Sequence, residues 1–153
     1  MKVKVRQKKN AVILDLEGNI DINSSQLVET VGKVINKKIS NIVFNFEGIK
    51  VIDYVGISLI AVVYKNIINH NAHLKIYKVP VSVRKLFSLV GLNRVFKYYD
   101  TQEVALKAFD NDKKTLTGSK EQLRRRFKRI SLNADILYRR KSTADKHFLK
   151  EKL

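Results

Sequence analysis

The order in which apolar patterns follow one another after residue 24 constrains this chain more than any other feature. Helical patterns alternate with short runs rich in β-forming residues as far as residue 109. Strand–helix–strand units of this kind predict parallel strands joined by right-handed crossovers. The predicted elements are a helix with its apolar face on Leu27, Val31, Val34 and Ile35, a buried strand over 41–46, a helix over 53–69, a strand over 74–79, a helix from Pro80 to Gly91, a short strand over 95–99 and a helix over 100–109.

The first twenty residues follow a different pattern, the two-residue period of half-exposed strands. Lysine and valine alternate over 2–7, and residues 11–16 repeat the pattern with more apolar positions. We predict two antiparallel strands joined through residues 8–10, with Gly18-Asn19 as the turn that follows them. The predicted fold is therefore α/β, a mixed sheet of about five strands packed with about four helices. Its expected core contains Val43, Phe44, Ile60, Val63, Leu74, Ile76, Leu86 and Phe87.

Three helix ends carry recognisable signals. Ser24 or Ser25 can cap the first helix, because a hydroxyl accepts a hydrogen bond from a free first-turn amide. Asp100, followed three residues later by Glu103, resembles a capping box for the last helix. Gly91 suits the left-handed residue that ends the helix before it.

Composition limits the chemistry. There is no cysteine, which excludes disulfides and thiolate metal sites and favours a reducing cytoplasm. The longest apolar run, 55–64, is too short to span a bilayer, so we expect no transmembrane segment and a cytoplasmic protein. No phosphate-binding or metalloprotease motif is present, and no carboxylate or thiol accompanies His70 and His73. We therefore predict no cofactor, no metal site and no enzyme activity.

The positive charge is concentrated towards the end of the chain. Residues 1–110 carry 17 Lys and Arg against 9 Asp and Glu, a net charge of +8, whereas residues 111–153 carry 14 against 5, a net charge of +9. This shift predicts a boundary near Asp110, with a folded domain over 1–110 and a basic tail over 111–153. A basic excess also favours anionic partners.

Three stretches carry a resemblance to a known family: NIVFNFEGIKVIDYVGISLI, LKIYKVPVSVRKLFSLVGLNRVF and YDTQEVALKAF. In the STAS family, named for sulfate transporters and anti-sigma-factor antagonists, a strand precedes an Asp-Ser-Ser/Thr-Gly turn and an apolar helix. A later strand leads to a proline-started helix with a Leu-Phe pair and a Gly-Leu exit. The N-terminal LEGNID is similar to the family's L-x-G-x-[LIV]-D. The chain resembles this family over residues 2–109, with matches at Asp21, Asp53, Gly56, Pro80, Leu86, Phe87, Gly91 and Leu92.

The resemblance implies a signalling adaptor that binds a protein partner, an anti-sigma factor or a switch kinase. It places the partner-binding surface at Asp21, Asp53, Tyr54, Val55 and Gly56. Family members that are switched by a serine kinase carry the target hydroxyl immediately before the glycine, where this chain has Val55. Valine cannot be phosphorylated, so the usual switch is absent from its usual position. An exposed aromatic and a branched apolar side chain at 54 and 55 would suit a protein contact.

The tail permits more than one interpretation. Residues 120–140, KEQLRRRFKRISLNADILYRR, resemble the start of a PilZ domain, a cyclic-di-GMP receptor, with Arg125 and Arg129 matching its R-x-x-x-R motif. The second PilZ motif, [DN]-x-S-x-x-G, is missing, so we expect weak cyclic-di-GMP binding or none. A solvated arm and non-specific nucleic-acid binding remain open. An accessory subunit of a transporter ATPase is a further alternative that the STAS resemblance implies.

Overall fold

The computed structural model describes residues 1–112, which form one sheet of five strands with helices on both faces. The strands are β1 (Lys2–Lys8), β2 (Ala11–Ile20), β3 (Asn41–Ile52), β4 (His73–Tyr77) and β5 (Tyr98–Tyr99). The helices are α1 (Ser25–Asn36), α2 (Tyr54–Asn69), α3 (Val81–Leu89) and α4 (Gln102–Asp112), and a single 3-10 turn covers Leu92–Arg94. The predicted mixed sheet with four helices is confirmed.

The strands lie in the order in which they occur along the chain. β1 and β2 are antiparallel, and Lys9 turns the chain between them with a φ of 55°. Each later strand is parallel to its predecessor and is reached through a helix, as the alternating pattern predicts. All parallel strands therefore end at the same edge of the sheet, where the chain enters α1, α2 and α3.

One face of the sheet carries the main core. Helices α1, α2 and α3 pack there on β2, β3 and β4 through side chains such as Leu27, Ile57 and Phe87. Aromatic rings fill the centre, with Phe87 lying 6.0 Å from Phe46 and 5.9 Å from Phe96 between ring centroids. α2 is apolar on nearly every side because it is covered by α1 as well as by the sheet.

Among residues 1–112, only α4 lies on the opposite face. The buried residues there are Ala11, Ile13, Val43, Tyr77, Ala105 and Phe109. Of the predicted core, Val43, Phe44, Ile60, Val63, Ile76 and Phe87 are buried, whereas Leu74 and Leu86 are only half-buried. Leu74 lies on β4 where β5 does not reach, and Leu86 lies at the margin of the buried stripe of α3.

Several strand boundaries were predicted wrongly. β5 is Tyr98–Tyr99 rather than 95–99, because the amides of Val95 and Phe96 donate to the Leu92 carbonyl in the preceding turn. Gly18-Asn19 is not a turn, because both residues remain in β2, which shifts register against β3 between them. Gly18 has a φ of 100°, which a glycine adopts without strain. β3 runs six residues beyond the predicted end at residue 46, because the far half of β2 pairs with it as far as Ile52.

Two helix caps also differ from the prediction. Ser24 precedes α1, but its side chain makes no cap hydrogen bond to the helix. For α4, Thr101 rather than Asp100 accepts the hydrogen bond from the Val104 amide, at 3.3 Å. Gly91 does adopt the predicted left-handed conformation, with a φ of 83°.

None of the helices within residues 1–112 combines the length and the apolar character that crossing a membrane requires. The predicted boundary near Asp110 falls inside α4, Gln102–Asp112. The division into a domain and a basic tail stays a prediction, and the tail lies outside the described residues.

Candidate functional site: the end of β2 and the start of α2

The start of α2 is held by Asp53. This residue is extended, with φ −97° and ψ −179°, and its carboxylate accepts a hydrogen bond from the Gly56 amide at 2.7 Å. Its backbone carbonyl accepts the first helical bond, from the Ile57 amide at 2.9 Å. Asp53 is thus a helix cap, the arrangement in which an acceptor satisfies an otherwise unpaired amide.

Gly56 lets α2 approach the end of β2 closely. An added Cβ at this position would lie 2.0 Å from the carbonyl oxygen of Ile20. Real carbon and oxygen atoms do not approach so closely, so any other residue would push α2 away from β2. The Asp53 amide donates to the same Ile20 carbonyl at 3.3 Å. The start of α2 is therefore fixed to the end of β2 from two sides.

Asp21, which follows Ile20, organises the neighbouring turn. Its carboxylate accepts a hydrogen bond from the Asn23 amide at 2.9 Å, and its own amide donates to the Ser24 hydroxyl at 2.9 Å. Ser24 is fully buried and its hydroxyl also donates to the Asn19 carbonyl at 3.3 Å. The buried hydroxyl thus closes the turn between β2 and α1 rather than capping the helix.

The two turns together form one surface, which we call the strand-end surface: Asp21, Ile22, Val51 and the segment 53–56. The register that pairs Ile20 with Ile52 places Asp21 and Asp53 at adjacent strand ends. Two large apolar side chains are exposed there, Ile22 by 75% and Val51 by 57%. Two carboxylates beside exposed apolar groups are typical of a surface that contacts a protein.

Neither of these two apolar residues was predicted from the sequence. Tyr54 and Val55 were expected to be exposed, but both are half-buried, and Tyr54 packs against the main core. Ile22 could have been noticed as an isolated large apolar residue within a polar turn. Val51 could not, because β3 was predicted to end before it.

Ser58, the one serine on α2, donates its hydroxyl to the Tyr54 carbonyl at 3.1 Å. Among residues 1–112 there is no cluster of three His, Asp or Glu side chains that could hold a metal ion. Arg125 and Arg129, the candidates for nucleotide binding, lie outside the described residues.

Comparison with known families agrees with this geometry. The family model described as the STAS domain matches residues 2–105. The chain belongs to the STAS domain family. The match includes both turns of the strand-end surface and all five strands of the sheet.

Solved structures share the STAS fold of residues 1–112. An anti-sigma factor antagonist from Mycobacterium paratuberculosis matches with 20% identity and a TM-score of 0.62, covering 70% of this chain and 92% of that chain. SpoIIAA, an anti-sigma factor antagonist, matches in its unphosphorylated form with 17% identity and a TM-score of 0.55, covering 73% and 98%. The phosphorylated form of SpoIIAA, described as a Bacillus cell fate determinant, matches with 19% identity and a TM-score of 0.57, covering 71% and 99%.

Proposed function

We propose that this STAS protein is a non-enzymatic regulator of the anti-sigma-factor-antagonist type, which binds an anti-sigma factor or switch kinase through the strand-end surface. The observation that carries the proposal is the fixed start of α2. Asp53 and Gly56 hold it against Ile20, and Ile22 and Val51 stand exposed beside it. A rigid surface with exposed apolar groups loses little conformational entropy when a partner binds.

Position 55 has no hydroxyl, which distinguishes this regulator from family members that are switched by phosphorylation. One related fold, SpoIIAA, has been solved in phosphorylated and unphosphorylated forms. This chain has Val55 at the position that carries the family's target hydroxyl, and the Ser58 hydroxyl already donates to a backbone carbonyl. We propose that binding here is not switched by phosphate at residue 55. Its control then depends on the amount of partner or on another part of the chain.

The test is to replace apolar residues of the strand-end surface and compare partner binding. Val55→Asp and Val51→Asp each bring a charge into the contact, and an unpaired charge there should weaken binding by several kcal/mol. Val104→Asp is the matched control, because Val104 is 51% exposed and lies on α4, on the other face of the sheet. Mass spectrometry of the proteins that co-purify identifies the partner, and calorimetry measures its affinity for each variant.

We expect the partner not to co-purify with Val55→Asp or Val51→Asp, and to bind Val104→Asp with unchanged affinity. Equal binding by all three folded variants would place the contact elsewhere. Identification of a transporter ATPase that is lost with the same variants would keep the surface and change the class of partner. Phosphopeptide mapping after incubation with a captured kinase checks the second part of the proposal, since phosphate at Tyr54 or Ser58 would show that the switch has moved.

A further inference from the structure

The sheet has an incomplete edge at the far end of α2 from the strand-end surface. β5 pairs only with Ile76 and Tyr77 of β4. The first three residues of β4, His73 to Lys75, pair with β3 on one side. On their other side, no strand of residues 1–112 lies against them.

The backbone of Leu74 faces this open side. His73 donates its amide to Ser40 on the β3 side at 2.6 Å, and Lys78 donates its amide to Tyr99 on the β5 side at 2.9 Å. Successive residues of a strand direct their backbone groups to opposite neighbours, so Leu74 faces the β5 side, as Ile76 does. Within residues 1–112, neither the amide nor the carbonyl of Leu74 has a hydrogen-bond partner on that side. A donor and an acceptor side by side are what an additional strand pairs with.

A cleft of about 190 Å³ lies over this edge. Ile68 of α2 and Val95 line it with apolar surface. Three basic side chains also line it: His73, Lys75 and Lys97. Lys75 is only 8% exposed and forms an ion pair with Asp112, the acidic residue in the lining. The cleft therefore offers a peptide backbone partner, an apolar wall and the positive charge of Lys97 beyond the Lys75 and Asp112 pair.

Charge identifies the kind of segment that fits. From residue 54 to residue 99 the chain has seven Lys and Arg and no Asp or Glu. A second copy would offer β1, whose edge carries Lys2, Lys4, Arg6 and Lys8, and residues 111–153 carry a net charge of +9. Like charges disfavour both occupants, whereas an acidic segment would be attracted.

We propose that the open edge of β4 binds an extended acidic segment of a partner protein by strand addition. Its backbone pairs with the amide and carbonyl of Leu74, and a carboxylate of the segment contacts Lys97. Ile68 is fourteen residues beyond Tyr54 on α2, about 21 Å at the rise of an α-helix. The site is therefore separate from the strand-end surface, and one partner with a flexible acidic arm can occupy both.

The test uses the full chain labelled with 15N and a blocked peptide, Val-Glu-Val-Glu-Val, as the probe. We expect the peptide to shift the Leu74 amide resonance and to slow its hydrogen exchange by about tenfold or more. Two control peptides have lysine in place of glutamate or N-methyl groups on alternate amides, and neither should have this effect. Lys97→Glu should lower the affinity for the acidic peptide by about tenfold. Lys85→Glu makes the same charge change at an exposed position of α3 and should lower that affinity much less.

Each other outcome counts against the proposal. If the Leu74 amide is already protected without peptide, the tail or a second copy covers the edge. If the N-methylated peptide binds as tightly as the parent, backbone pairing is not involved. Equal weakening by Lys97→Glu and Lys85→Glu would reduce the effect to long-range attraction, and no change at Leu74 would remove the site.

Discussion

The two faces of the sheet are held by different kinds of interaction. The face covered by α1, α2 and α3 is packed with aliphatic and aromatic side chains, including Phe44, Phe46 and Phe87, none of which is exposed. The face covered by α4 has a small apolar centre, to which α4 itself contributes only Ala105 and Phe109 as buried residues. Polar contacts surround that centre. The first face can therefore stabilise the domain as a whole, whereas the second fixes one helix.

The polar contacts at the start of α4 form a connected group. The guanidinium of Arg6 donates to the Asp15 carboxylate at 2.5 and 2.8 Å and to the Gln102 side-chain oxygen at 3.0 Å. Asn45 donates to the same carboxylate at 2.9 Å. The hydrogen bond from Arg6 lowers the pKa of Asp15 and raises the pKa of Arg6, because it stabilises both charged forms. At the other end of α4, Asp112 pairs with Lys75.

The largest difference between the faces should appear when one phenylalanine is removed from each. Phe87→Ala should cost about 3–5 kcal/mol of unfolding free energy, because it leaves a cavity that neighbouring rings cannot fill. Phe109→Ala should cost clearly less, since it lies near the end of α4, where the helix can shift. Urea denaturation of both variants measures the difference. Equal losses would show that α4 is as much a part of the core as α3.

Removing the charge of Asp15 tests the polar group directly. Asp15→Asn keeps the shape but loses the charged acceptor, and we expect it to cost about 1–2 kcal/mol. The loss should be local, so hydrogen exchange should speed up in α4 before it does so in α2. Uniform acceleration throughout the domain would mean that α4 does not open on its own.

The lowered pKa of Asp15 also predicts a pH dependence. A carboxyl whose pKa is lower in the folded state contributes stability above its unfolded pKa of about 3.9, and this contribution is lost as pH falls through the folded value. The midpoint of urea denaturation should therefore fall below about pH 4 more steeply in the parent than in Asp15→Asn. Identical pH profiles would assign the acid sensitivity to other carboxyls.

The smallest loss of stability is expected on removing the ion pair between Lys78 and Glu47, in which Lys78 Nζ lies 2.7 Å from Glu47 Oε1. The hydrogen bond with Glu47 raises the pKa of Lys78, but both side chains are exposed and solvent screens their attraction. Glu47→Gln should leave the melting temperature unchanged within error. A measurable loss would show that this surface pair contributes as the Arg6 and Asp15 pair does.

The sequence predicted the elements better than their ends. Local periodicity was sufficient for the opening hairpin and for the apolar face of α1, because each depends on neighbours in the chain. The length of β3 depends instead on its pairing with the far half of β2, a non-local contact that no local pattern records. The prediction of a turn at Gly18-Asn19 was wrong for the same reason, because both residues belong to a strand that pairs with β3.

The candidate site was predicted only in part, because some of its features depend on contacts between residues that are distant in the sequence. Asp53 and Gly56 follow from a local motif, and the structure gives both a physical role. The exposure of Val51 and the burial of Tyr54 depend on how α2 lies against the sheet, which the sequence does not reveal. The half-buried state of Leu74 likewise depends on the short length of β5.

The close approach of Gly56 to Ile20 also bears on how this protein can diversify. The contact fixes the frame of the strand-end surface through backbone atoms, at a glycine that has no room for a side chain. Ile22 and Val51 stand on that frame with their side chains in solvent and contribute little to its shape. Descendants of this chain can thus exchange those two residues, and with them their choice of partner, while the scaffold that presents them stays the same.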